Sequence, residues 1–408
     1  MHFMTKKWLL PLLLIPALHA GAQSIRLTPI DAPGALYFNV ENAVNYNMYE
    51  HWRYEMNVTW VYPNESSKAA KNTNYKWNAK GYFAYTTRDK DYKYGLSSSV
   101  QLLKNGLSFS ASAFNDMIRA ADRNLGTYSL LNPSANTNFV ASYFVGVKGA
   151  MVSADFKPLP RCLVTLGFRQ TWEDYRFDGR HLLFPAIDPR DQLPFYSFSE
   201  GVARVEWKKD LILSLRGGYI GNYTAKGYLR AILQYKHAYF NNQLSLFSQA
   251  GFATKGAPYS RMFDLSGTAF SGYFFNNTFL TVRPNTFAAN TYAHVCLNYT
   301  MAKPLWTWSF SSPKPFAQLN AMWGSMFGQD EQGRLYHDGL GLKTPYQGLL
   351  EPAIGIDGIL RWGVMDFGVA VAYQVCPAHA AYRNADPENN WAFAVVGNLN
   401  IPSIIKIR

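Results

Sequence analysis

Polar and apolar residues alternate along most of the chain, in segments of about 9 to 14 residues that follow one another from end to end. The apolar side of the first segment contains Leu36, Phe38, Val40, Val44, Tyr46 and Met48. The apolar side of the second contains Trp52, Tyr54, Met56, Val58, Trp60 and Tyr62. Because successive side chains of a β-strand point to opposite faces, this period of two predicts strands with one apolar and one polar face.

Aromatic residues stand at both ends of these apolar faces, as Trp52 and Tyr62 do in the second segment. A soluble β-sandwich also alternates, but its apolar face lies inside and rarely has aromatic residues at both ends. Aromatic girdles are typical of membrane barrels. The mean hydropathy of −0.17, without a long apolar stretch after the N-terminal region, excludes a polytopic helical membrane protein.

The segments predict an all-β fold, a transmembrane antiparallel β-barrel of about 16 strands, with 14 as the alternative. The connections alternate between long and short. The long ones lie near 115–138, 174–195, 254–286, 327–349 and 376–390. The short ones lie near 104–106, 157–161, 208–210, 240–243 and 361–363. This asymmetry predicts short periplasmic turns and long extracellular loops, with both chain ends in the periplasm.

The first 22 residues have the pattern of a secretory signal peptide. Lys6 and Lys7 precede a short apolar region, and Ala20-Gly21-Ala22 provides small residues for cleavage. We therefore predict a signal peptide at 1–22 and export to the outer membrane of a Gram-negative bacterium. The remaining expected regions are a short periplasmic segment at 23–34, the barrel at 35–402 and a periplasmic tail at 403–408.

The distribution of charges and the number of cysteines limit the kinds of partner and cofactor that we expect. The net charge is +12, but the basic residues are scattered without a cluster of the kind that binds nucleic acid. The three cysteines are odd in number and widely separated, so they indicate neither a disulfide framework nor a metal site. We expect no cofactor, no metal and no nucleic acid. The expected partners are outer-membrane lipid, lipopolysaccharide and the barrel insertion machinery.

The polar faces of the segments contain charges of both signs, which we expect to line the lumen. These candidates are Glu41, Arg53, Glu55, Lys76, Lys80, Lys93, Asp155, Arg169, Glu173, Arg204, Glu206, Arg216, Arg230 and His294. An open barrel of this size has an aqueous lumen, and the excess of basic residues favours anions. Alternatively, the charges pair across the lumen and fill it, since an unpaired charge in a confined interior is costly.

Catalysis is the weakest hypothesis. His294 shares the polar phase of its segment with Cys296, and His337-Asp338 lies in a long loop. A hydrolase needs a nucleophile, a base and an orienting group held together, and neither histidine is forced into such a cluster by its spacing. We therefore expect a protein that is not an enzyme.

Several short motifs resemble a family of Gram-negative outer-membrane proteins of unknown function. They are Leu36-Tyr37-Phe38-Asn39-Val40-Glu41-Asn42, Gly81-Tyr82-Phe83-Ala84-Tyr85, Lys90-Asp91-Tyr92-Lys93-Tyr94-Gly95, Arg283-Pro284-Asn285-Thr286-Phe287, Glu351-Pro352-Ala353-Ile354-Gly355-Ile356-Asp357 and Val364-Met365-Asp366-Phe367. Longer members carry an N-terminal carboxypeptidase-regulatory-like domain before a barrel distantly similar to the surface-antigen superfamily of outer-membrane assembly and secretion. The resemblance implies a fold and a location.

This sequence departs from that pattern in two respects. The N-terminal domain is not recognisable, which suggests a separate periplasmic partner. The Arg-Gly-aromatic tip of the assembly and secretion barrels is also not recognisable, Arg283-Pro284 being the nearest match.

Three functions follow, in order of preference. The first is passage or translocation of solutes, lipids or polypeptide across the outer membrane, with the loop near 254–286 as a gate. The second is a closed structural or surface-binding barrel whose aromatic loops, such as Tyr273-Phe274-Phe275, contact glycan or partner proteins. The third is a barrel hydrolase.

Overall fold

The structure is a computed structural model. It describes residues 24–39, 44–47, 51–65, 67–69, 73–87, 90–103, 106–119, 144–174, 176–177, 181–182, 195–221, 227–254, 257, 261–265, 273–274, 279–282, 287–326, 344–362, 365–375 and 390–399. The predicted signal peptide and the predicted tail at 403–408 lie outside these ranges, as does Glu41.

Antiparallel strands make up nearly all of the described structure. In the first half they are β1 (Ser24–Arg26), β2 (Ala35–Asn39), β3 (Val44–Asn47), β4 (His51–Tyr62), β5 (Tyr75–Thr86), β6 (Tyr92–Leu102), β7 (Leu107–Arg119), β8 (Phe144–Leu159), β9 (Cys162–Asp174), β10 (Arg176–Phe177) and β11 (His181–Leu182). In the second half they are β12 (Phe195–Trp207), β13 (Leu211–Ile220), β14 (Gly227–Tyr239), β15 (Leu244–Ala253), β16 (Phe263–Asp264), β17 (Tyr273–Phe274), β18 (Ala288–Ala289), β19 (Thr291–Thr300), β20 (Lys314–Ser325), β21 (Leu349–Trp362), β22 (Met365–Tyr373) and β23 (Trp391–Leu399).

One sheet contains all the long strands, each paired with its successor in an antiparallel meander that runs from β2 to β23. β2 and β3 pair with the two halves of β4 and so share one position. The two-residue strands β10, β11, β16 and β18 lie outside this sheet. Within the described residues the meander has 17 antiparallel strands, the first two of which lie end to end. This confirms the predicted all-β fold with about 16 strand positions.

The two faces of the sheet differ as the alternation predicted. On β4, Tyr54, Met56 and Val58 are 49%, 56% and 39% exposed. Arg53 and Glu55, at the alternate positions of the same strand, are buried. The same alternation continues through the meander, with Leu211, Leu213 and Leu215 of β13 exposed. We call the exposed apolar side the outward face and the other the inward face. No helix of the described ranges is long and apolar enough to span a bilayer.

The two ends of the sheet differ in the length of their connections. At one end, which we call the turn end, β12 joins β13 through three residues, and Lys208 and Lys209 have positive φ angles of 53° and 65°. Two consecutive positive φ angles match the right-handed twist of a tight hairpin. At the other end, the loop end, the connections are long, the longest described in part being 254–290 between β15 and β19.

One connection at the turn end is longer than its neighbours. Residues 301–313 extend the hairpin of β19 and β20, with Leu305 N donating to Pro313 O at 2.8 Å. Trp306, Trp308 and Phe310 of this arm are all exposed, and their neighbouring rings lie 5.8 and 5.7 Å apart. The arm thus carries a row of aromatic residues at the position where a membrane barrel has an interfacial girdle.

Three boundaries or pairings differ from the sequence prediction. β7 runs on to Arg119, whereas we expected a loop from about residue 115. β1 pairs with the free edge of β2. β17 pairs in parallel with β23, so Tyr273 and Phe274, which we considered as surface contacts, add backbone hydrogen bonds to the last strand. Within the described residues, β23 makes no pairing with β2 or β3.

Candidate functional site

Described residues of the connection 254–290 lie against the inward face of the sheet. Its described residues Met262, Phe263, Leu265, Phe279, Ala288 and Ala289 are all almost fully buried. β16 and β18 within it pair with each other, and Leu265 N donates to Phe287 O at 2.9 Å. We call the described residues of this connection, which are 254, 257, 261–265, 273–274, 279–282 and 287–290, the inserted segment.

Apolar contacts attach the inserted segment to a wide arc of the sheet. Met262, Phe263, Leu265 and Phe279 belong to one buried cluster with inward-facing residues of β7, β8, β12–β15 and β19–β21. A second buried cluster joins Leu280 to inward-facing residues of β20–β23. Because these strands span most of the meander, the described part of the inserted segment contacts the inward face over most of the width of the sheet.

Among the described residues, Arg261 of the inserted segment is the largest of the almost fully buried side chains, with 2% of its surface exposed. Its guanidinium donates to Glu173 from Nη1 at 3.2 Å and from Nη2 at 2.6 Å. It also donates to Glu200 from Nε at 2.8 Å and from Nη2 at 3.1 Å. Glu173 lies on β9 and Glu200 on the neighbouring β12, and both are completely buried. One guanidinium thus joins two strands through paired, charge-assisted hydrogen bonds.

Two aromatic residues complete the surroundings of Arg261. The Arg261 guanidinium carbon lies 4.2 Å from the centre of the Phe198 ring, and Arg261 Nε lies 3.2 Å from Tyr228 Oη. Tyr228 Oη in turn donates to Glu200. We call Glu173, Glu200, Phe198 and Tyr228 the arginine cradle. All four belong to the sheet, so the inserted segment contributes only the arginine.

Further arginines balance the carboxylates of the arginine cradle. Arg169 Nη2 lies 2.9 Å from Glu200 Oε2 and 3.7 Å from Glu173 Oε1, and Arg216 Nε lies 3.8 Å from Glu200 Oε1. Burial acts to lower the pKa of Arg261, but Glu173 and Glu200 raise it well above its ordinary value. Arg261 is therefore always charged, and the cluster contains more guanidinium groups than carboxylates.

Glu351 on β21 provides a second attachment for the inserted segment. Its carboxylate accepts hydrogen bonds from Leu280 N at 3.0 Å, from Thr281 N at 2.8 Å and from Thr281 Oγ1 at 2.5 Å. Glu351 is completely buried. A carboxylate that satisfies two successive backbone amides holds the chain at that point in one orientation.

A separate charged cluster lies on β4, β5 and β7. Arg53 donates to Asp116 at 2.7 and 3.0 Å and to Glu55 at 2.8 Å, and Tyr82 Oη donates to Asp116 at 2.6 Å. Asn57 also donates to Glu55, at 2.7 Å. These contacts join residues of the sheet to one another. This cluster joins β4 and β5 to β7 across the inward face and serves as an internal comparison for the arginine cradle.

The register of the strands places the described lumen candidates on the inward face. These are Arg53, Glu55, Lys76, Lys80, Lys93, Asp155, Arg169, Glu173, Arg204, Glu206, Arg216, Arg230 and His294. The structure brings Arg169, Glu173, Arg216 and Glu200 together around Arg261. Others form local pairs, such as Lys76 with Glu65 at 3.0 Å, Lys93 with Asp91 at 2.7 Å and Arg204 with Glu206 at 3.1 Å.

Two candidates have largely uncharged surroundings. Asp155 accepts hydrogen bonds from Ser108 Oγ at 3.2 Å and Thr165 Oγ1 at 2.5 Å. The His294 ring is buried with its centre 5.5 Å from that of Phe247 and 5.3 Å from that of Phe279. Its closest described ring contacts are therefore aromatic. His337, the other histidine of the hydrolase hypothesis, lies outside the described residues.

The sequence did not indicate the partners that complete these clusters. Arg261 lies in a connection without strand periodicity, and only the fold brings it to Glu173, which is 88 residues away. Asp116 continues the inward phase of β7 after Ser108, Ser110 and Ser112, so a longer reading of that strand would have found it. In the described part of the chain, no group of three His, Cys, Asp or Glu side chains could hold a metal ion.

Neither a family model nor a curated protein matches this sequence. Among solved structures, the fold is similar to that of BamA from Haemophilus ducreyi lacking POTRA domains 1-3. The two share 10% sequence identity and a TM-score of 0.50, over 95% of this chain and 76% of the other. CdiB from Escherichia coli aligns at 9% identity and a TM-score of 0.40, over 93% of this chain and 67% of the other. CdiB from Acinetobacter baumannii aligns at 9% identity and a TM-score of 0.35, over 85% and 57%.

The similarity to BamA concerns the fold. It agrees with the apolar outward face, the polar inward face and the contrast between the two ends of the sheet. The chain therefore has the fold of an outer-membrane β-barrel, and this fold agrees with the predicted location in the outer membrane.

Proposed function

We propose that the protein is an outer-membrane translocation barrel whose lumen is closed at rest by the inserted segment. The segment acts as a gate, and Arg261 in the arginine cradle is its main fastening. The observation that carries this proposal is the set of four hydrogen bonds from Arg261 to the buried carboxylates of Glu173 and Glu200.

The position of the fastenings supports a gate at one end of the barrel. Glu173 is the penultimate residue of β9, at the loop end, and Glu351 is the third residue of β21, also at the loop end. Both ends of the inserted segment join strands at this end. With the long loops extracellular, the constriction lies on the outer side. The segment can move without unpairing the long strands of the meander from one another, and only the two-residue pairing of β17 with β23 is broken.

The wall toward the turn end is suited to water and polar solutes. Ser97, Ser99, Ser108 and Ser110 lie on the inward faces of β6 and β7, close to Lys80 and Asp155. Ser97, Ser99 and Lys80 are partly exposed. We therefore assign the inward-facing charges named above to the wall of an aqueous passage below the gate. The passage would carry solutes, lipids or polypeptide segments.

A charged fastening suits a gate better than an apolar one. Buried charges are costly unless they are paired, so Arg261 and its two carboxylates strongly favour one closed geometry. When the inserted segment moves away, water hydrates the separated charges, and this hydration offsets part of the free energy lost with the ion pairs. An ion pair therefore provides a closed state that is well defined and still reversible.

The test is single-channel conductance of the refolded protein in planar bilayers. Arg261→Ala removes the fastening, and Arg161→Ala removes the same side chain from the exposed turn between β8 and β9. We expect the native protein and Arg161→Ala to be closed for most of the recording, and Arg261→Ala to open far more often. Equal, silent traces from a demonstrably folded Arg261→Ala variant would contradict the proposal.

The second candidate function is a permanently closed structural barrel. The continuous apolar cluster between the inserted segment and the sheet favours it, because such a cluster also stabilises a fixed plug. The same recordings distinguish the two candidates, since a fixed plug stays closed in both arginine variants.

A further inference from the structure

The arginine cradle is formed entirely by the sheet, yet its present occupant comes from the inserted segment. Glu173 and Glu200 present four carboxylate oxygens to one guanidinium, and Phe198 lies against the face of that guanidinium. If the inserted segment moves, as the proposed function requires, the cradle loses its cation but keeps its shape. The geometry points to a ligand site for guanidinium groups, so that an arginine-bearing ligand competes with Arg261 and opens the gate.

The chemistry of the cradle favours a guanidinium over other cations. Arg261 uses Nε, Nη1 and Nη2 together, and a planar group with several fixed donors fits two carboxylates better than an ammonium does. The ring of Phe198 is completely buried and 4.2 Å from the guanidinium carbon, which adds a flat contact. An alkylammonium ion has neither the fork nor the flat face.

Competition follows from linkage. A ligand that binds only when the cradle is empty stabilises the open state, in proportion to its concentration relative to its dissociation constant. Without such a ligand, opening leaves Glu173 and Glu200 with fewer cationic partners, Arg169 and Arg216 remaining. A guanidinium ligand replaces the lost cation, which lowers the free energy of the open state.

The position of the cradle limits the direction of access. Glu173 lies one residue from the loop end of β9, and Tyr228 is the second residue of β14 from the same end. With the loops extracellular, the ligand arrives from outside the cell. We assign its class as an exposed arginine of a polypeptide, since a chain that carries arginine can reach the cradle and then follow the opened lumen.

The test uses L-argininamide as the probe and L-citrullinamide as its neutral, nearly isosteric control, at equal ionic strength. Calorimetric binding is measured to the native protein, to Arg261→Ala and to Arg261→Ala with Glu173→Gln. We expect Arg261→Ala to bind argininamide about tenfold more tightly than the native protein does, because no internal arginine competes. Citrullinamide should not bind, and Glu173→Gln should abolish the gain.

Binding and conductance separate this inference from the proposed function on which it rests. If Arg261→Ala conducts but does not bind argininamide, the ligand site is wrong and the gate stands. If Arg261→Ala binds argininamide but stays silent, the cradle binds guanidinium and the gate is wrong. In the native protein, argininamide and not citrullinamide should raise the open fraction; equal effects of the two would overturn the competition.

Folding of each variant is checked by the shift in gel mobility between heated and unheated samples. Arg261→Gln serves as a second variant, because it removes the charge while keeping much of the side-chain volume. If both substitutions prevent folding, the native protein still decides the matter through its conductance in argininamide and citrullinamide.

Discussion

Arg261 Nη2 lies 2.6 Å from Glu173 Oε1, and this contact joins the inserted segment to a strand 88 residues earlier in the chain. Both side chains are at most 2% exposed. A contact of this kind is specific because either group, left alone in the interior, would have to be hydrated or discharged.

The shape of the cation at position 261 should matter as well as its charge. Arg261→Lys keeps the charge but supplies a single ammonium group, which cannot reproduce four hydrogen bonds to two carboxylates. We expect solute leakage from liposomes in the order native, Arg261→Lys, Arg261→Ala, from slowest to fastest. Rates for Arg261→Lys equal to those of the native protein would show that charge alone closes the gate.

Glu351→Gln should weaken the second attachment of the inserted segment. The amide that replaces one oxygen is itself a donor and would face the amides of Leu280 and Thr281 or the hydroxyl of Thr281. We expect the free energy of unfolding to fall by about 1–3 kcal/mol, as when a buried hydrogen bond is left unmade. Urea titration of the folded protein in vesicles measures it.

The control for Glu351→Gln is Glu65→Gln. Glu65 pairs with Lys76 at 3.0 Å, but its side chain is 81% exposed. A surface pair of this kind contributes about 0–1 kcal/mol. A loss as large for Glu65→Gln as for Glu351→Gln would mean that burial and backbone contacts at Glu351 are not what stabilises the segment.

The cluster around Asp116 should affect stability without affecting the gate. Asp116→Asn removes the charge that faces Arg53, which lies in a buried pair with contacts of 2.7 and 3.0 Å. Breaking one side of a buried ion pair costs about 3–5 kcal/mol. We expect a lower unfolding midpoint and unchanged closure in bilayer recordings. Frequent openings in this variant would locate a gate fastening outside the inserted segment.

Charge on the outward face should oppose membrane insertion. Leu96 is 65% exposed near the middle of β6, and Ser99 lies on the inward face of the same strand. Leu96→Arg should cost about 2–4 kcal/mol if Leu96 lies near the centre of the bilayer, whereas Ser99→Arg should cost much less. The folded fraction recovered in lipid vesicles measures both. Equal yields would contradict the assignment of the outward face to lipid.

The regular part of the fold was predictable because its signal is local. The alternation of Tyr54, Met56 and Val58 with Arg53 and Glu55 depends only on the period of two in a strand that separates lipid from a polar interior. The tight turns were predictable for the same reason, since a short polar run such as Lys208-Lys209-Asp210 interrupts the alternation.

The irregular part was not predictable from the same signal. β1 and β17 contain three and two residues, too few to show a period, and their pairings with β2 and β23 arise from the path of the chain. Likewise, Glu173 was recognisable as an inward-facing charge. Its partner Arg261 lies in a connection without alternating polar and apolar residues, so the course of that connection could not be predicted. The sequence therefore indicated Glu173 as an inward-facing charge, whereas its contact with Arg261 became apparent only in the folded structure.

We propose that the inserted segment covers the inward face until Arg261 leaves the arginine cradle. Labelling of the native Cys296 side chain can report when this face becomes uncovered. Cys296 is completely buried on the inward face of β19, two residues from His294, whose ring centre lies 5.3 Å from that of Phe279 in the inserted segment. In a Cys162→Ala, Cys376→Ala background, the measurement is the rate at which a water-soluble maleimide labels Cys296 in folded protein. We expect slow labelling with Arg261 present and in Arg161→Ala, and labelling at least about tenfold faster in Arg261→Ala, because exposure follows the population of the open state. Equal rates with and without the Arg261 side chain would contradict it.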